Sequence, residues 1–257
     1  MNNLKQRIQR GETVHGCWIN MGSALATEIV GMAGFDWVLI DLEHGAGSEK
    51  DVLAQLQALS NSNTAALVRV ESHEPSRISR VMEMGALGVM CPKVNNATEA
   101  KKVINGVHFP PLGNRGVATM VRAADYGKSF DEYYKNAKAN LLGIVQIETV
   151  ESLSHLDEIA EVEGVDILFI GPGDLTMDMG LFGQFTHPLY IKAVEDTIKA
   201  ASKAGKSVGI LFFDTDDYKR YHAMGIRFIG CGSDSVFLGN GAKEMVRKLD
   251  EMRGEVV

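Results

Sequence analysis

The chain has 257 residues, of which 45% are hydrophobic and 23% are charged, and its formal net charge at pH 7 is −7. This composition is ordinary for a folded globular domain, and the negative charge, without a dense run of lysine or arginine, argues against nucleic acid as a partner. Because no apolar run reaches the roughly 18 residues that a membrane-spanning helix needs, we also expect no membrane partner.

Short apolar runs alternate with longer amphipathic segments from residue 14 onward. Nearly every position of residues 37–40 is apolar, which is typical of a parallel strand covered on both faces. Eight such runs, each followed by a helix-like segment, predict an α/β fold, a (β/α)8 TIM barrel that forms a single domain over residues 1–257, with an open doubly wound sheet as the alternative. The predicted strands cover residues 14–18, 37–40, 65–70, 88–91, 141–147, 165–170, 207–213 and 227–231. The predicted helices cover residues 24–33, a segment after Ser48, 75–84, 97–106, 151–161, 187–204, 214–224 and 241–252.

One segment, residues 108–127, breaks this alternation. It contains Pro110, Pro111, Gly113 and Gly116 together with several polar residues. Loops of this length inside a compact domain are usually functional or disordered. We therefore expect a long loop after the fourth strand–helix unit.

The three cysteines, Cys17, Cys91 and Cys231, form no disulfide or zinc pattern, because they are odd in number and widely spaced. Each lies in an apolar run, so buried free thiols are expected. Residues 1–12 are polar and charged, without the apolar centre of a signal peptide. These features predict a cytoplasmic protein.

Ionisable residues follow most of the predicted strands directly. In a TIM barrel the carboxyl ends of the strands carry the catalytic groups, so these residues converge on one face. Strands must also exit to solvent somewhere, but six strands that each deliver an ionisable group indicate a site. The residues concerned include Asp41, Glu43, His44, Arg69, Lys93, Glu148, Asp174 and Asp234.

Two carboxylates, Glu148 and Asp174, follow adjacent strands. With few other ligands nearby, they suit a hard cation such as Mg²⁺ or Mn²⁺, completed by water and substrate oxygens. Neither lies near a pair of cysteines or histidines, which disfavours zinc. The alternative is that each carboxylate caps the helix that follows it.

Three further residues have both a functional and a structural interpretation. His44 is either a general base or a hydrogen-bonding residue of the fold. Arg69, which lies in an apolar run, needs an anionic partner, either a buried carboxylate or a substrate oxyanion. Lys93 is either a Schiff-base lysine or an ordinary surface lysine, and the second interpretation is favoured.

The sequence Gly171-Pro172-Gly173-Asp174 is a candidate anion cradle. Free N–H groups at the start of a helix bind carboxylates and phosphates. Since Pro172 has no N–H group, Gly173 and Asp174 are the expected donors.

Several long blocks, taken in order, resemble the HpcH/HpaI family of metal-dependent pyruvate aldolases. The blocks are GFDWVLIDLEH at residues 34–44, PPLGNRG at residues 110–116, QIET at residues 146–149 and EGVDILFIGPGDL at residues 163–175. The resemblance extends almost from end to end. It implies a TIM barrel of the phosphoenolpyruvate/pyruvate-domain type and an enzyme that reversibly cleaves a 4-hydroxy-2-oxo acid into pyruvate and an aldehyde.

The resemblance also implies a role for each matching residue. Glu148 and Asp174 match the ligands of a divalent metal ion, Mg²⁺, Mn²⁺ or Co²⁺. His44 matches the base that takes the proton of the C4 hydroxyl group, and Arg69 matches the residue that stabilises the pyruvate enolate. The other matches are Gln146 as a substrate-binding side chain, Gly173 and the backbone of Asp174 as the carboxylate cradle, Glu83 as the residue that raises the basicity of the histidine, and Asp41 as a residue that orients His44.

The resemblance further implies a homohexamer, a trimer of dimers in which the C-terminal helix, residues 241–252, is exchanged between subunits. The sequence departs from the family pattern at Lys93, at Glu83, at residues 45–47 and at residues 124–126. The two loop departures are expected to face the aldehyde half of the substrate. The alternatives to an aldolase are a lyase of the citramalyl-CoA or malyl-CoA type and a non-catalytic barrel that binds a small acid.

Overall fold

A computed structural model describes residues 3–212, 214 and 216–255. It contains a closed barrel of eight parallel strands in the order of the chain, in which the last strand pairs with the first. The predicted (β/α)8 barrel is therefore confirmed, and the open sheet is excluded. The strands are β1 (Val14–Ile19), β2 (Trp37–Asp41), β3 (Ala65–Arg69), β4 (Gly88–Cys91), β5 (Leu142–Ile147), β6 (Val165–Ile170), β7 (Ser207–Phe212) and β8 (Phe228–Ser233).

Helices follow every strand and add several elements that the sequence pattern does not predict. Of these, α1 precedes the barrel, α6 follows the long loop and α9 follows β6. The predicted helix over residues 151–161 is two short helices that meet at His155. The helices are α1 (Leu4–Gln9), α2 (Ala24–Met32), α3 (Glu49–Ala58), α4 (Pro75–Glu83), α5 (Ala97–Val107), α6 (Phe130–Asn140), α7 (Val150–Ser154), α8 (Leu156–Ala160), α9 (Pro172–Asp178), α10 (Pro188–Lys203), α11 (Asp216–Ala223) and α12 (Asp234–Glu255). The predicted end of the seventh strand, residue 213, lies outside the described residues.

Alternate residues of each strand face opposite sides of the barrel wall, because side chains of a strand alternate between its two faces. In β1, Trp18 belongs to the cluster that fills the barrel, whereas Cys17 and Ile19 pack outward against the helices. The same alternation holds in β2, where Leu39 faces inward and Ile40 outward. This alternation decides which side chain at the carboxyl end of each strand reaches the site.

The N-terminal end of the barrel is closed by α1. Leu4 and Ile8 of this helix pack on the cluster inside the barrel. Between them, the buried ammonium group of Lys5 lies 2.9 Å from a carboxylate oxygen of Asp166 and donates a hydrogen bond of 2.7 Å to the carbonyl oxygen of Leu141. A buried charge with these partners ties α1 to β5 and β6.

We expect Asp166→Asn to lower the free energy of unfolding by about 3 kcal/mol, since a buried ammonium group would lose its counter-ion. Urea unfolding measures this change. Glu163→Gln is the matched control, because it removes a carboxylate from the exposed pair with Lys138, and exposed pairs contribute little. Equal unfolding midpoints for the two variants would contradict the structural role of Asp166.

The long loop begins after α5 and lies at the N-terminal end of the barrel. Arg122 donates hydrogen bonds to the carbonyl oxygens of Met84 and Leu56, near the ends of α4 and α3. Arg115 packs over the rings of Phe109 and Tyr133. The expectation that residues 124–126 face the aldehyde half of the substrate is therefore wrong within one chain, because the loop is anchored at the opposite end of the barrel.

The last helix, α12, starts at Asp234 and is longer than the predicted segment over residues 241–252. Most of its length is exposed, although Phe237 stacks on Phe35 with ring centroids 6.1 Å apart. Its exposed apolar side chains are Val236, Phe237, Leu238, Met245, Val246, Leu249 and Met252, and the neighbouring helix α2 exposes Leu25, Ile29 and Met32. Within the described parts of the chain, no helix has the length and apolar character needed to cross a membrane.

The cysteines are free thiols, as expected. Cys17 and Cys91 are buried, and burial raises the pKa of the Cys17 thiol to about 12. Cys231 is only half-buried, and its thiol donates to the carbonyl oxygen of Gly16 at 3.7 Å.

Candidate active site

The carboxyl end of β2 is organised by Asp41, which is buried. One of its carboxylate oxygens accepts hydrogen bonds from the backbone N–H groups of Glu43 and His44, at 3.0 and 3.3 Å. The same carboxylate accepts two hydrogen bonds from Arg69, at 2.9 and 2.7 Å. Asp41 therefore fixes the backbone that carries His44 and orients the guanidinium group of Arg69, an arrangement compatible with its predicted orienting role.

Arg69, at the end of β3, is held by two carboxylates. Besides its paired bonds to Asp41, its Nη1 atom lies 3.0 Å from Glu43 and donates to the Gln146 side-chain oxygen at 3.5 Å. Burial opposes the charge of Arg69, but its hydrogen bonds to Asp41 and the negative charges around it outweigh burial and raise its pKa. The guanidinium group has more N–H groups than these partners use, so part of it stays available to a substrate oxyanion.

Gln146 and Glu148 are two residues apart at the end of β5 and are both buried. The Gln146 amide donates to one oxygen of Glu148 at 2.9 Å, and the backbone N–H of Lys93 donates to the other at 2.8 Å. Burial raises the pKa of Glu148 to about 7; the Lys93 hydrogen bond and Arg69 oppose the rise, while the charges of Asp174 and Glu43 add to it. The positive charge near Glu148 is therefore too small to offset the effect of burial on its carboxylate.

Lys93 occupies a left-handed backbone conformation, with φ of 49°. Its N–H group is committed to Glu148, but its side chain is exposed. The exposed side chain agrees with the interpretation of Lys93 as a surface lysine rather than a buried nucleophile.

The segment after β6 packs directly on Glu148. A Cβ atom on Gly171 would lie 2.3 Å from a Glu148 carboxylate oxygen, so this position requires glycine. Pro172 and Gly173 then begin α9, whose first-turn N–H groups have no acceptor within the helix. Nothing lies within 4 Å of a Cβ atom built on Gly173, so this turn is open to a ligand on that side.

Neither metal-ligand candidate serves as a helix cap. Gly171 is the N-cap residue of α9 and Asp174 is its third residue, with an exposed side chain. Thr149, not Glu148, caps α7. The capping alternative for both carboxylates is therefore wrong.

His44 is open to solvent, with 63% of its side chain exposed. Its Nε2 atom lies 3.7 Å from a carboxylate oxygen of Glu43, which is itself largely buried and also contacts Arg69. Glu43 is among the ionisable residues that the sequence predicts at the strand ends, but it has no individual role in that prediction. Its contacts with both Arg69 and His44 make it part of the site.

Glu83 does not lie near His44. It is the last residue of α4, which runs back from the carboxyl end of β3 to the start of β4, where its charge acts on Tyr133 of α6. His44 lies at the other end of the barrel, after β2. The prediction that Glu83 raises the basicity of His44 is therefore wrong for two residues of the same chain.

The site fits a divalent cation with few protein ligands. The described residues include no group of three or more histidine, cysteine, aspartate or glutamate side chains that could hold a metal ion. Glu148 and Asp174 are the carboxylates that could hold such an ion, with oxygens of water and substrate as its other ligands. The negative charges of Asp174 and Glu43 repel that of Glu148, and a bound cation would reduce this repulsion.

Comparison with known proteins gives the same family at the levels of sequence and structure. The family model for HpcH/HpaI aldolase/citrate lyase matches residues 15–240. A 4-hydroxy-2-oxo-heptane-1,7-dioate aldolase of Klebsiella pneumoniae subsp. pneumoniae is 36% identical over 249 residues, which cover 96% of this chain and 94% of that relative. An enzyme of the same name from Shigella flexneri is 35% identical over 247 residues, covering 96% and 92% of the two chains.

Solved structures agree with this relationship. An HpcH/HpaI aldolase/citrate lyase family protein from Burkholderia cenocepacia J2315 superposes with a TM-score of 0.91 at 34% identity, covering 97% of this chain and 100% of that one. An HpcH/HpaI aldolase from Desulfitobacterium hafniense DCB-2 has a TM-score of 0.89 at 26% identity, covering 96% of each chain. The chain belongs to the HpcH/HpaI aldolase/citrate lyase family.

Proposed function

We propose that this protein is a divalent-metal-dependent aldolase that reversibly cleaves a 4-hydroxy-2-oxo acid into pyruvate and an aldehyde. The observation that carries the proposal is the arrangement at one end of the barrel, where Arg69 is fixed by Asp41 and Glu43 beside the buried carboxylate of Glu148. The aldolase names of the relatives support it.

Glu148 and Asp174 are the proposed ligands of Mg²⁺, Mn²⁺ or Co²⁺. When bound there, the ion would act as a Lewis acid towards the 2-oxo acid. The Gln146 amide, which donates to Glu148, holds that carboxylate in one orientation. The first-turn N–H groups of Gly173 and Asp174 are the proposed donors to the substrate carboxylate.

The proposed reaction begins when His44 accepts the proton of the C4 hydroxyl group. The C3–C4 bond then breaks, its electron pair passes to the pyruvate fragment as the enolate, and C4 leaves as the aldehyde carbonyl. Arg69 offers its remaining N–H group to the enolate oxygen, in an orientation that Asp41 has already fixed. Return of the proton from His44 to C3 gives pyruvate and restores the base.

Pyruvate release from a panel of 4-hydroxy-2-oxo acids tests the proposal. We expect release after addition of Mg²⁺, Mn²⁺ or Co²⁺ and none in EDTA. Citramalyl-CoA and malyl-CoA belong in the same panel. Turnover of the thioesters alone would replace the aldolase by a CoA-dependent lyase, and a folded protein that releases no pyruvate under any condition would favour a barrel that only binds a small acid.

We also propose that the chain assembles into a homohexamer through α12. The exposed apolar side chains of α12 lie near those of α2, and a second copy is the partner that would cover both surfaces. In such an assembly, Glu83 could act on His44 only as a residue of a neighbouring copy. The proposed partners are therefore further copies of this chain and a small 2-oxo acid in the cytoplasm, without nucleic acid or membrane.

Light scattering after size-exclusion chromatography tests the assembly. We expect a mass of six times the 28.0 kDa of one chain. Combining Val246→Glu with Leu249→Glu places charges on the apolar side chains of α12 and should release smaller species. Ser202→Glu, at the exposed end of α10, should leave the mass unchanged. A monomeric wild-type protein would contradict the proposed assembly.

A further inference from the structure

Asn20 directly follows β1, and its backbone is held on both sides. Its N–H group donates to the carboxylate of Asp234 at 2.9 Å, and its carbonyl oxygen accepts from the N–H group of Ala46 at 2.8 Å. Ala46 lies two residues after His44 in the loop that follows β2. Asn20 is therefore fixed beside the loop that carries the proposed base.

The alternation of β1, extended by one residue beyond its end, places Asn20 on the side of the barrel interior. Trp18, two residues earlier, belongs to the cluster inside the barrel, whereas Ile19 packs outward. In the pairing of β1 with β2, Ile19 lies opposite Ile40, so the next pair is Asn20 and Asp41. Asn20 thus lies in the same layer as Asp41, at the carboxyl end of the strands.

The side-chain oxygen of Asn20 is buried and has no hydrogen-bond partner among the residues that the structure describes. A buried acceptor without a donor is unfavourable for the folded state. An apolar side chain of similar size would avoid that cost. The fold therefore does not explain an asparagine at this position, and a donor from a ligand would.

The location of this oxygen indicates which part of a substrate would supply the donor. The proposed ligands of the pyruvate half lie after β5 and β6, and β1 is across the eight-stranded barrel from β5. The loop with His44, the base for the C4 hydroxyl group, follows β2. A substrate that extends from β5 past His44 brings its atoms beyond C4 towards β1.

We infer that Asn20 accepts a hydrogen bond from a hydroxyl group on C5 of the substrate, so that the preferred aldehyde is a 2-hydroxyaldehyde. This inference rests on the proposed aldolase function and names its aldehyde class. A hydroxyl donor satisfies the buried oxygen, whereas an aldehyde with a methylene or methyl group in its place leaves it without a partner. Preference for the hydroxyl-bearing aldehyde follows from that difference.

Aldol addition of pyruvate to glycolaldehyde or to propanal tests the inference, because the two aldehydes are similar in size and differ in the hydroxyl group. We expect the wild-type protein to favour glycolaldehyde in kcat/KM. Asn20→Leu, which keeps the branched shape of the side chain, and Asn20→Ala, which shortens it, should each lower that preference about tenfold, the effect of one hydrogen bond. Asn61→Leu, an exposed asparagine at the other end of the barrel, is the matched control.

Two further measurements separate failure of this inference from failure of the proposed function. Exchange of the methyl protons of pyruvate into D₂O involves no aldehyde, so it should be unchanged in the Asn20 variants. The thermal midpoint of Asn20→Leu without substrate should be no lower than that of the wild type. Unchanged preference with intact exchange would overturn the role of Asn20 alone, whereas absence of exchange in the wild type would overturn the aldolase itself.

Discussion

Replacing Glu148 with glutamine should abolish aldol cleavage and, in the metal-free protein, increase stability at alkaline pH. The loss in kcat/KM should be about 10³-fold or more, because Lewis-acid stabilisation contributes several kcal/mol and each 1.36 kcal/mol is about a factor of ten. Pyruvate release at saturating Mg²⁺ measures it. Activity that survives in the variant would contradict the assignment of Glu148 as a metal ligand.

The gain in stability follows from the raised pKa of Glu148, which burial moves from 4.5 to about 7. A carboxyl group whose pKa is raised by folding contributes a stability that is complete below pH 4.5 and is lost as the pH rises through 7. Glutamine imitates the protonated form at every pH. With about 1.4 kcal/mol for each pKa unit, the variant should exceed the wild type by about 3 kcal/mol at pH 8 and by almost nothing at pH 4.

Urea unfolding in EDTA at pH 4 and pH 8 measures this difference. Glu163→Gln is the control, because this exposed carboxylate has a lowered pKa from its hydrogen bond to Lys138 and should give no gain at pH 8. Equal stability of the wild type and the Glu148 variant at both values of pH would show that burial does not destabilise the ionised form of Glu148. Added Mg²⁺ should stabilise the wild type and leave Glu148→Gln unchanged.

Arg69→Lys should lower kcat by about 10²- to 10³-fold, which is typical for the loss of one oriented donor to a developing oxyanion. Lysine keeps the positive charge, but it cannot make the two parallel bonds to Asp41 and also contact Glu43. Initial rates of pyruvate release measure the effect. Full activity of Arg69→Lys would mean that a positive charge alone is enough to stabilise the enolate, without the orientation that Asp41 gives.

A second substitution separates the role of Arg69 in stability from its role in catalysis. Arg69→Met leaves the buried carboxylate of Asp41 without its counter-ion and should cost about 3–5 kcal/mol of stability. Arg10→Lys, in an exposed pair with Glu12 at the N-terminal end, should change neither activity nor stability appreciably. If Arg69→Met unfolds at the wild-type urea concentration, the pair with Asp41 does not support the fold.

The strand ends were predictable because continuous apolar runs mark buried parallel strands, and the residue after each run faces the same end of the barrel. This is why Asp41, Arg69, Gln146 and Glu148 could be assigned to one site. Asn20 and Glu43 also lie just after strands; Asn20 was not singled out from the sequence, and Glu43 was placed at this end without a role. The importance of Asn20 depends on an unpaired oxygen, and that of Glu43 on its contacts with Arg69 and His44, which only the structure shows.

Two sequence expectations were wrong because the segments concerned lie at the opposite end of the barrel from the site. Glu83 and residues 124–126 lie in segments that return to the N-terminal end of the barrel, so neither reaches the site of its own chain. The start of α12 was missed because Gly239 and Gly241 have low helix propensity, yet the helix continues through both. The residue pattern of a long loop does not reveal at which end of the barrel the loop lies.

The most direct test of metal-assisted enolate formation at this site is exchange of the methyl protons of pyruvate into D₂O, followed by NMR. The reaction uses the base, Arg69 and the carboxylates, and it needs neither an aldehyde nor knowledge of the natural substrate. We expect the methyl signal to decay with Mg²⁺ present, to persist in EDTA and to persist in Glu148→Gln with Mg²⁺. Decay that is unaffected by EDTA or by Glu148→Gln would contradict a metal-dependent aldolase at this site.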